Sequence, residues 1–243
     1  MNVVEHEGLR LLVFPLLREQ GLVCAISTVP LDVRDPEARD RFVAAVGLDP
    51  ARTVASGRQR HMADVVRADI PGRRSVDVDA LVTDTPGLPL VLRAADCSLV
   101  VVADPERRAV GVAHAGWKGS ARGIIVNLVR AMHENYGSRA SQLFAGVGPT
   151  IRRPNYEVGP EVPAAFLRSR EWTGEHVRAK GGKFYFDLPG ANAHFLRECG
   201  IPRKHIEESP LCTYDRADLL HSFRRDGTGA GHHGIVAAWP EQA

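Results

Sequence analysis

The chain has 243 residues, of which 44% are apolar and 25% charged, proportions typical of a soluble globular protein. Its 31 basic and 29 acidic residues leave a formal net charge of +2, which is too small to favour nucleic acid or a membrane surface as a partner. No apolar run approaches the roughly 20 residues of a membrane span, and acids ahead of the first apolar stretch argue against a signal peptide. The four cysteines form no CxxC pair, so we expect reduced thiols and a cytoplasmic protein.

The first third of the chain predicts strands and one helix that lead to a histidine. Apolar and β-branched residues predict strands at 9–13, 21–28 and 52–56. Asp35 followed by Pro36 marks the start of a helix that runs to about Val46. His61 follows the third strand closely, and loops after strands often carry function. We therefore treat His61 as a candidate ligand that needs partners elsewhere.

A hairpin within residues 93–119 carries the most informative part of the chain. Residues 98–103 and 109–113 predict two buried strands, and Asp104-Pro105 favours a type I turn between them. If that turn is centred after Pro105, Cys97 lies directly opposite His114. Directly opposed Cβ atoms are roughly 4.5–5.5 Å apart. We therefore expect the thiolate and the imidazole either to share a metal or to act as nucleophile and base.

The stretch after His114 predicts a glycine-containing loop at the start of a helix. Gly116 and Gly119 flank a Trp-Lys pair, and an apolar stripe at helical spacing predicts a helix over 121–136. Backbone N–H groups at such a helix start favour anions. The same glycines also fit a turn without a ligand, so the spacing leaves both interpretations open.

The rest of the chain alternates irregularly between strands and helices. A half-exposed strand is predicted at 76–83, where Asp77 and Asp79 alternate with apolar neighbours. Further strands are predicted at 88–92, 143–147, 183–187, 203–208 and 235–239, and helices at 161–168 and 188–198. We assign His232-His233 to a solvent-facing loop. Without a repeat or a linker, residues 1–243 are predicted to form one domain, and runs of adjacent strands favour mixed α/β layers over a doubly wound parallel sheet.

Three residues distant in sequence combine into one candidate site. His61, Cys97 and His114 supply two imidazoles and a thiolate. Three protein ligands with a fourth position open to water are typical of catalytic zinc, whereas structural zinc usually has four protein ligands. The residues alone are compatible both with such a site and with three unrelated side chains.

Eight short segments, found in one order along nearly the whole chain, resemble the laccase-domain family. This family was once described as multicopper polyphenol oxidases and is now described as purine nucleoside phosphorylases (the YfiH and FAMIN group). The combination of HAGWKG with ADC is highly specific. The segments are Gln59-x-His61, Ala95-Asp96-Cys97, His114-Ala115-Gly116-Trp117-Lys118-Gly119, Gly148-Pro149, Tyr156-Glu157-Val158, Asp187-Leu188, Cys212-Thr213 and Ser222-Phe223-Arg224-Arg225.

The resemblance implies a fold, a metal site and a set of reactions. The implied fold is a four-layer α/β/β/α sandwich related to the catalytic domains of cytotoxic necrotizing factors. The implied metal site is zinc or copper on His61, Cys97 and His114. The implied reactions are phosphorolysis of adenosine, inosine, guanosine and methylthioadenosine, with inorganic phosphate as co-substrate, and hydrolytic deamination of adenosine. The partners are then small-molecule purine nucleosides.

Further site residues are expected around this metal. Asp96, next to Cys97, is assigned to catalysis, where it orients a metal ligand or carries a proton; the alternative is a cap at the strand end. Cationic side chains and glycine N–H groups are expected to hold the phosphate. The residues assigned to substrate binding are Arg58, Gln59, Arg93, Gly116, Lys118 and Gly119.

Three positions depart from the family pattern. Lys118 stands where arginine is usual, and lysine lacks the bidentate fork of a guanidinium. Asn155 stands where a cysteine commonly precedes Tyr-Glu-Val, so that thiol is either dispensable or its loss alters the protein. Ala230-Gly231 replaces the usual Arg-Gln, so we expect a substrate-facing guanidinium to be missing and affinity or substrate choice to differ.

Three other functions stay open. A metal-free Cys97–His114 pair suits an amide hydrolase that edits peptidoglycan precursors, which the resemblance also allows. A polyphenol oxidase needs further copper sites, and ten scattered histidines make such an array a poor interpretation. A non-enzymatic partner-binding domain fits the departures at Lys118 and Ala230, but it leaves the His₂Cys set unexplained.

Overall fold

The computed structural model describes residues 1–72, 77–168 and 171–241, without the side chains of 171–173. In chain order its strands are β1 (Asn2–His6), β2 (Leu9–Val13), β3 (Val23–Ser27), β4 (Val54–Ala55), β5 (Val65–Arg67), β6 (Ala80–Thr83), β7 (Leu90–Ala94), β8 (Ser98–Asp104), β9 (Ala109–Ala115), β10 (Phe144–Val147), β11 (Glu157–Val158), β12 (Val177–Lys180), β13 (Lys183–Phe186), β14 (Ile206–Glu208) and β15 (His233–Ala238). Its helices are α1 (Pro15–Glu19), α2 (Pro36–Ala45), α3 (Trp117–Ala121), α4 (Ile124–Tyr136), α5 (Glu161–Leu167), α6 (Leu188–Glu198) and α7 (Phe223–Asp226).

The described strands form two large sheets and a small one. The first sheet has the order β1-β2-β3-β15-β7-β4, and the second has the order β14-β10-β8-β9-β6-β5. A three-stranded sheet, β11-β13-β12, shares no strand pairing with either large sheet among the described strands. Most neighbouring strands are antiparallel, whereas β4–β7, β5–β6 and β10–β14 are parallel pairs. The chain is therefore a mixed α/β protein, as the sequence predicts.

Alternation along the strands separates three apolar cores. Leu99 and Val101 of β8 pack between the two large sheets, together with Leu92 of β7 and Ile235 of β15. The intervening β8 residues point to the opposite face, where α4 and α6 cover the second sheet. The outer face of the first sheet packs against α2. Since successive strand residues point to opposite faces, the order helix, sheet, sheet, helix follows, in agreement with the predicted α/β/β/α layers.

The predicted register of the central hairpin is wrong by two residues. Asp104 pairs with Ala109, so the turn holds four residues, and Leu99 rather than Cys97 lies opposite His114. The carboxylate of Asp104 accepts hydrogen bonds from the N–H groups of Glu106 and Arg107 at 3.0 and 3.1 Å, which stabilises this wider turn. Because the period of a strand is two, the error leaves Cys97 and His114 on the same side of the hairpin.

Two predicted boundaries also differ from the structure. The helix predicted over 121–136 begins only at Ile124, because Gly123 has a left-handed φ of 89° that separates α3 from α4. Residue 76 of the strand predicted at 76–83 lies outside the described residues. The described part starts later than predicted, because β6 begins only at Ala80, and its residues are buried rather than half-exposed. The edge strand β1 was not predicted. None of the described helices is long and apolar enough to cross a bilayer.

Candidate metal centre and active site

Three side chains from separate segments meet at one end of the β8–β9 hairpin. His114 lies near the end of β9, Cys97 directly before β8, and His61 between β4 and β5. Their nitrogen and sulfur donor atoms all lie within 4.8 Å of one another. The centroids of the two imidazole rings are also 4.8 Å apart. The structure therefore brings together the three residues that the sequence analysis combined.

Asp79, the residue before β6, holds two of the three donors in place. Its Oδ1 accepts hydrogen bonds from Nδ1 of His114 at 2.9 Å and from the backbone N–H of His61 at 3.0 Å. Its Oδ2 accepts from the backbone N–H groups of Arg60 and Met62 at 3.0 and 2.9 Å. Because Nδ1 of His114 is engaged, Nε2 is the nitrogen left to bind a metal, an arrangement common around metal-bound histidines.

Gly116 allows the donors to approach one another. A Cβ atom at this position would lie 2.7 Å from Sγ of Cys97 and 2.8 Å from Nδ1 of His61. His61 and Asp96 have left-handed backbone conformations, with φ of 56° and 86°. Such conformations are uncommon for residues with a side chain, and they persist where surrounding contacts enforce them. The site is therefore built at some local cost in backbone energy.

Electrostatic interactions within the cluster oppose the effect of burial. Burial raises the pKa of a thiol, but neighbouring His114 and His61 lower the pKa of Cys97 to about 6. Burial also lowers the pKa of an imidazole, yet Cys97 and Asp79 raise the pKa of His114 to about 9. Cys97 is therefore favoured as the thiolate near neutral pH, which is the form that binds metals and attacks electrophiles.

The donor set fits a single zinc or copper ion. Zinc bonds of about 2.0–2.1 Å to nitrogen and 2.3 Å to sulfur place tetrahedral donors roughly 3.3–3.6 Å apart, which is compatible with donor atoms that all lie within 4.8 Å. Imidazole and thiolate are preferred ligands of both metals. Among the residues that the structure describes, this is the one group of three or more His, Cys, Asp or Glu side chains arranged in this way.

The cluster lies in the wall of a cavity of about 460 Å³, a volume typical of small-molecule sites. The guanidinium of Arg224 lies 5.4 Å from the centroid of the Tyr156 ring, within cation–π distance. Aromatic rings suit a flat heterocycle, and guanidinium groups suit an anion. The aromatic and basic lining residues are Trp117, Tyr156, Phe223, Arg58, Arg93 and Arg224.

Of the predicted substrate-binding residues, Arg58, Gln59 and Arg93 line the cavity. Nε2 of Gln59 donates to the carbonyl of Arg93 at 2.7 Å, and Oε1 accepts from the N–H of Arg93 at 3.0 Å. The guanidinium of Arg93 donates to the carbonyls of Ser56 and Gly57, both at 2.8 Å. Arg58 makes no hydrogen bond or ion pair within the described chain. Arg93 is thus held rigidly, and Arg58 keeps its full donor capacity.

The structure places the other predicted substrate-binding residues around α3. Lys118 is exposed, does not line the cavity, and has its Nζ 5.5 Å from the centroid of the Trp117 ring. A Cβ atom on Gly119 would lie 3.0 Å from the carbonyl oxygen of Met62, so this glycine permits close packing of α3. Binding of substrate by Gly116, Lys118 and Gly119 stays a prediction.

Asp96 connects the Cys97 segment to three distant parts of the chain. Its Oδ1 accepts from Oγ1 of Thr213 at 2.5 Å, and its Oδ2 accepts from the backbone N–H of Arg224 at 2.6 Å. Its carbonyl accepts from the N–H of Ile151 at 3.0 Å. Since both carboxylate oxygens are engaged, these contacts favour a positioning role. The predicted role in catalysis stays a prediction.

The prediction of a solvent-facing loop at His232-His233 is wrong for His233, whereas His232 lies in a loop and is half-buried. His233 begins β15 and is fully buried, and neither of its ring nitrogens has a hydrogen-bond partner in the described chain. His232 lines the cavity. The glycine-rich run before the pair is typical of a loop, but β15 pairs with β3 and β7, which lie far away in sequence.

Several lining residues were not assigned to the site from the sequence. Trp117, Tyr156, Phe223 and Arg224 all lie in segments that carry the family resemblance, and this placement is the signal that could have identified them. Asp79 lies in no such segment. The available signal is an acidic residue beside an apolar strand. The alternation of polar and apolar residues predicts that Asp79 faces solvent, whereas only 1% of its surface is exposed.

Comparison with known proteins identifies the family. A sequence model described as multi-copper polyphenol oxidoreductase laccase matches residues 30–239. The chain belongs to this family. It is 38% identical over 206 residues to a purine nucleoside phosphorylase of Deinococcus radiodurans, which covers 85% of this chain and 78% of that protein. It is 34% identical over 156 residues to adenosine deaminase RL5 of an unknown prokaryotic organism, which covers 63% and 59%.

Solved structures of the same group share the fold. The crystal structure of YlmD from Geobacillus stearothermophilus superposes with a TM-score of 0.86, with 27% identity and 98% coverage of both chains. The hypothetical protein YfiH of Bacillus licheniformis has a TM-score of 0.83, with 27% identity and coverage of 89% of this chain and 92% of that one.

Proposed function

We propose that the chain is a metal-dependent purine nucleoside enzyme that phosphorolyses adenosine, inosine, guanosine and methylthioadenosine and deaminates adenosine. The observation that carries this proposal is the convergence of His61, Cys97 and His114 in the wall of a cavity with both aromatic and guanidinium side chains. Relatives named purine nucleoside phosphorylase and adenosine deaminase support it. Four cysteines without a disulfide support a cytoplasmic setting. The proposed partners are small molecules rather than nucleic acid or membranes.

Each group of lining residues has its own part in binding. The rings of Trp117, Tyr156 and Phe223 provide flat apolar surface for the purine base. Arg58 and Arg93 provide positive charge for phosphate. Asp79 fixes the orientation of His114, and Asp96 holds Arg224 beside Tyr156.

His61, Cys97 and His114 would hold a zinc or copper ion, which would supply Lewis-acid chemistry and would lower the pKa of water toward about 7. In deamination, water replaces the amino group at C6 of adenosine, and ammonia leaves. In phosphorolysis, a phosphate oxygen bonds to C1′ while the bond from C1′ to the base breaks. The electron pair of that bond leaves with the base, which takes up a proton.

The test uses adenosine with and without phosphate, and it separates the products by chromatography. Wild-type protein should give adenine with ribose 1-phosphate, and inosine with ammonia. Removal of metal by a chelator should abolish turnover, and so should Cys97→Ala. Cys199→Ala is the matched control, because Cys199 lies at the end of α6 and does not line the cavity. Full activity after either treatment of the site would reject the proposal.

A second candidate, a Cys–His amide hydrolase that edits peptidoglycan precursors, is favoured by one specific feature. Asp79, His114 and Cys97 follow the order of a catalytic triad, in which a carboxylate orients an imidazole beside a thiolate. Rapid alkylation of Cys97 at neutral pH, unaffected by added zinc, would support the hydrolase. Protection of the thiol by zinc would support the metal enzyme.

The oxidase chemistry in the family description is a weaker candidate for this chain. A multicopper oxidase needs several sets of copper ligands, whereas the described residues contain one suitable group of three donors. Whatever its colour, the copper-loaded protein should not oxidise phenols, because a single group of donors cannot form a multicopper array. Phenol turnover by the copper-loaded protein would restore this candidate.

A further inference from the structure

His232 is a cavity residue to which no function has been given. The register of β15 with β7 pairs His233 with Ala94, so His232 lies beside Ala95, two residues before Cys97. Its backbone is anchored, because its N–H donates to Oδ1 of Asp32 at 3.1 Å and its carbonyl accepts from the N–H of Val33 at 3.0 Å. The backbone of His232 is therefore fixed, and its side chain lines the cavity.

The two nitrogens of this ring differ in their surroundings. Nδ1 is buried and has no hydrogen-bond partner in the described chain, whereas Nε2 is not buried and also makes no hydrogen bond there. A buried N–H without a partner is rarer than a buried acceptor without one, so the hydrogen of the neutral ring belongs on Nε2. His232 lines the cavity, and Nε2 is the ring nitrogen that is not buried, so Nε2–H is the donor available to a ligand.

The surroundings of His232 favour the neutral ring and attract anions. Burial, together with the charges of Arg34 and Arg93, lowers the pKa of His232 to about 4. Arg34 is compensated by Asp32, with which it forms an ion pair of 2.6 Å. Arg58 and Arg93 line the same cavity without a carboxylate partner among the described residues. The lining of the cavity therefore combines two cations with one neutral donor, and the charge of Arg93 acts on His232.

We propose that His232 positions the inorganic phosphate co-substrate by donating a hydrogen bond from Nε2, in the cavity that Arg58 and Arg93 also line. This inference rests on the proposed phosphorolysis. A neutral donor adds direction without a further charge, which suits a phosphate oxygen that must leave its contacts to bond to C1′ while the base departs with the bonding electrons. Lys118, which the sequence analysis offered for phosphate, does not line the cavity and is not needed here.

The experiment compares the two reactions of one enzyme, because only phosphorolysis uses phosphate. His232→Leu should raise the KM for phosphate about tenfold, the loss expected for one hydrogen bond to a charged group. The ratio of phosphorolysis to deamination of adenosine, each as kcat/KM, should fall by about the same factor. His232→Gln keeps an amide donor of similar reach and should restore most of the phosphate affinity. His6→Leu, at an exposed position on β1, is the control for a lost histidine.

The possible outcomes separate this inference from the proposed function. A wild-type protein without phosphorolysis removes the proposed function itself. If the wild type phosphorolyses adenosine and His232→Leu has the same ratio of phosphorolysis to deamination, the role of His232 is wrong. A higher KM for adenosine rather than for phosphate also overturns it, because it assigns His232 to the nucleoside.

Discussion

Replacement of Asp79 by asparagine tests how the metal ligands are held. The carboxylate has two acceptor oxygens, and together they accept four hydrogen bonds, from His114, His61, Arg60 and Met62. An amide of the same size has one acceptor oxygen, so two of these donors lose their partner. In one orientation the amide NH₂ faces the N–H groups of Arg60 and Met62. In the other it faces Nδ1 of His114 and favours the tautomer with the hydrogen on Nε2, the nitrogen needed for metal.

The size of the effect follows from these counts. A buried donor without a partner costs about 1–3 kcal/mol. The contact to His114 is buried and the other three are partly buried, and in the second orientation the imidazole accepts from the amide and keeps a partner. Asp79→Asn should therefore lower the free energy of unfolding by roughly 1–4 kcal/mol. Loss of the group that orients a metal-bound histidine typically lowers metal affinity by about 10- to 100-fold. Zinc affinity is measured by competition with a chromophoric chelator, and stability by urea unfolding.

The neighbouring Asp77 provides the matched control. Its carboxylate forms an exposed ion pair with Arg60 at 2.6 Å, and exposed pairs contribute about 0–1 kcal/mol. Asp77→Asn should therefore change neither zinc affinity nor stability by much. If Asp79→Asn binds zinc as tightly as Asp77→Asn and is equally stable, the assigned role of Asp79 is wrong.

Three further predictions follow from the same structure. Gly116→Ala should bind zinc more weakly than Gly229→Ala, because its Cβ would meet Sγ of Cys97 at 2.7 Å, whereas nothing lies within 4 Å of a Cβ at Gly229; equal zinc affinities in a competition titration would contradict this. Burial, together with the nearby charges, lowers the pKa of His233 to about 3 from an ordinary value of 6.5, so unfolded protein takes up the proton first and stability falls as the pH drops below 6.5. Between pH 8 and pH 5, the free energy of unfolding of the wild type, measured with urea, should fall by about 2 kcal/mol more than that of His233→Leu. Equal decreases in the two proteins would refute the lowered pKa of His233. Tyr156→Ala should raise the KM for inosine about tenfold or more, because an aromatic surface for the base is lost, and unchanged steady-state kinetics would remove Tyr156 from the binding site.

Local patterns in the sequence predict the helices and strands of this fold better than they predict how the strands pair. The helix at Leu188–Glu198 has the predicted bounds, because an aspartate cap, a proline and a final glycine mark its ends locally. The hairpin register is different. Asp104-Pro105 indicates a turn but does not determine how many residues the turn contains. Two extra loop residues shift the register, so that His114 lies opposite Leu99 rather than Cys97.

The proposed metal ligands could likewise be predicted from the sequence better than the residues that hold them in place. His61, Cys97 and His114 can be combined from the sequence because few residue types bind metals and the family segments contain all three. The role of Asp79 depends on the loop of His61 and on the facing strand of His114, and neither contact is visible in the alternation around Asp79. The position of His232 in the cavity likewise depends on pairing between strands at opposite ends of the chain.

The proposed function requires that His61, Cys97 and His114 bind one metal ion together. The most direct measurement is the metal content of purified protein by elemental analysis, repeated after cobalt substitution, in which a thiolate ligand gives a charge-transfer band in the near ultraviolet. We expect one ion per chain in the wild type, loss of that band in Cys97→Ser, and loss of the ion in His114→Ala. A wild type without metal after reconstitution, or a Cys97→Ser variant with an unchanged spectrum, would contradict it.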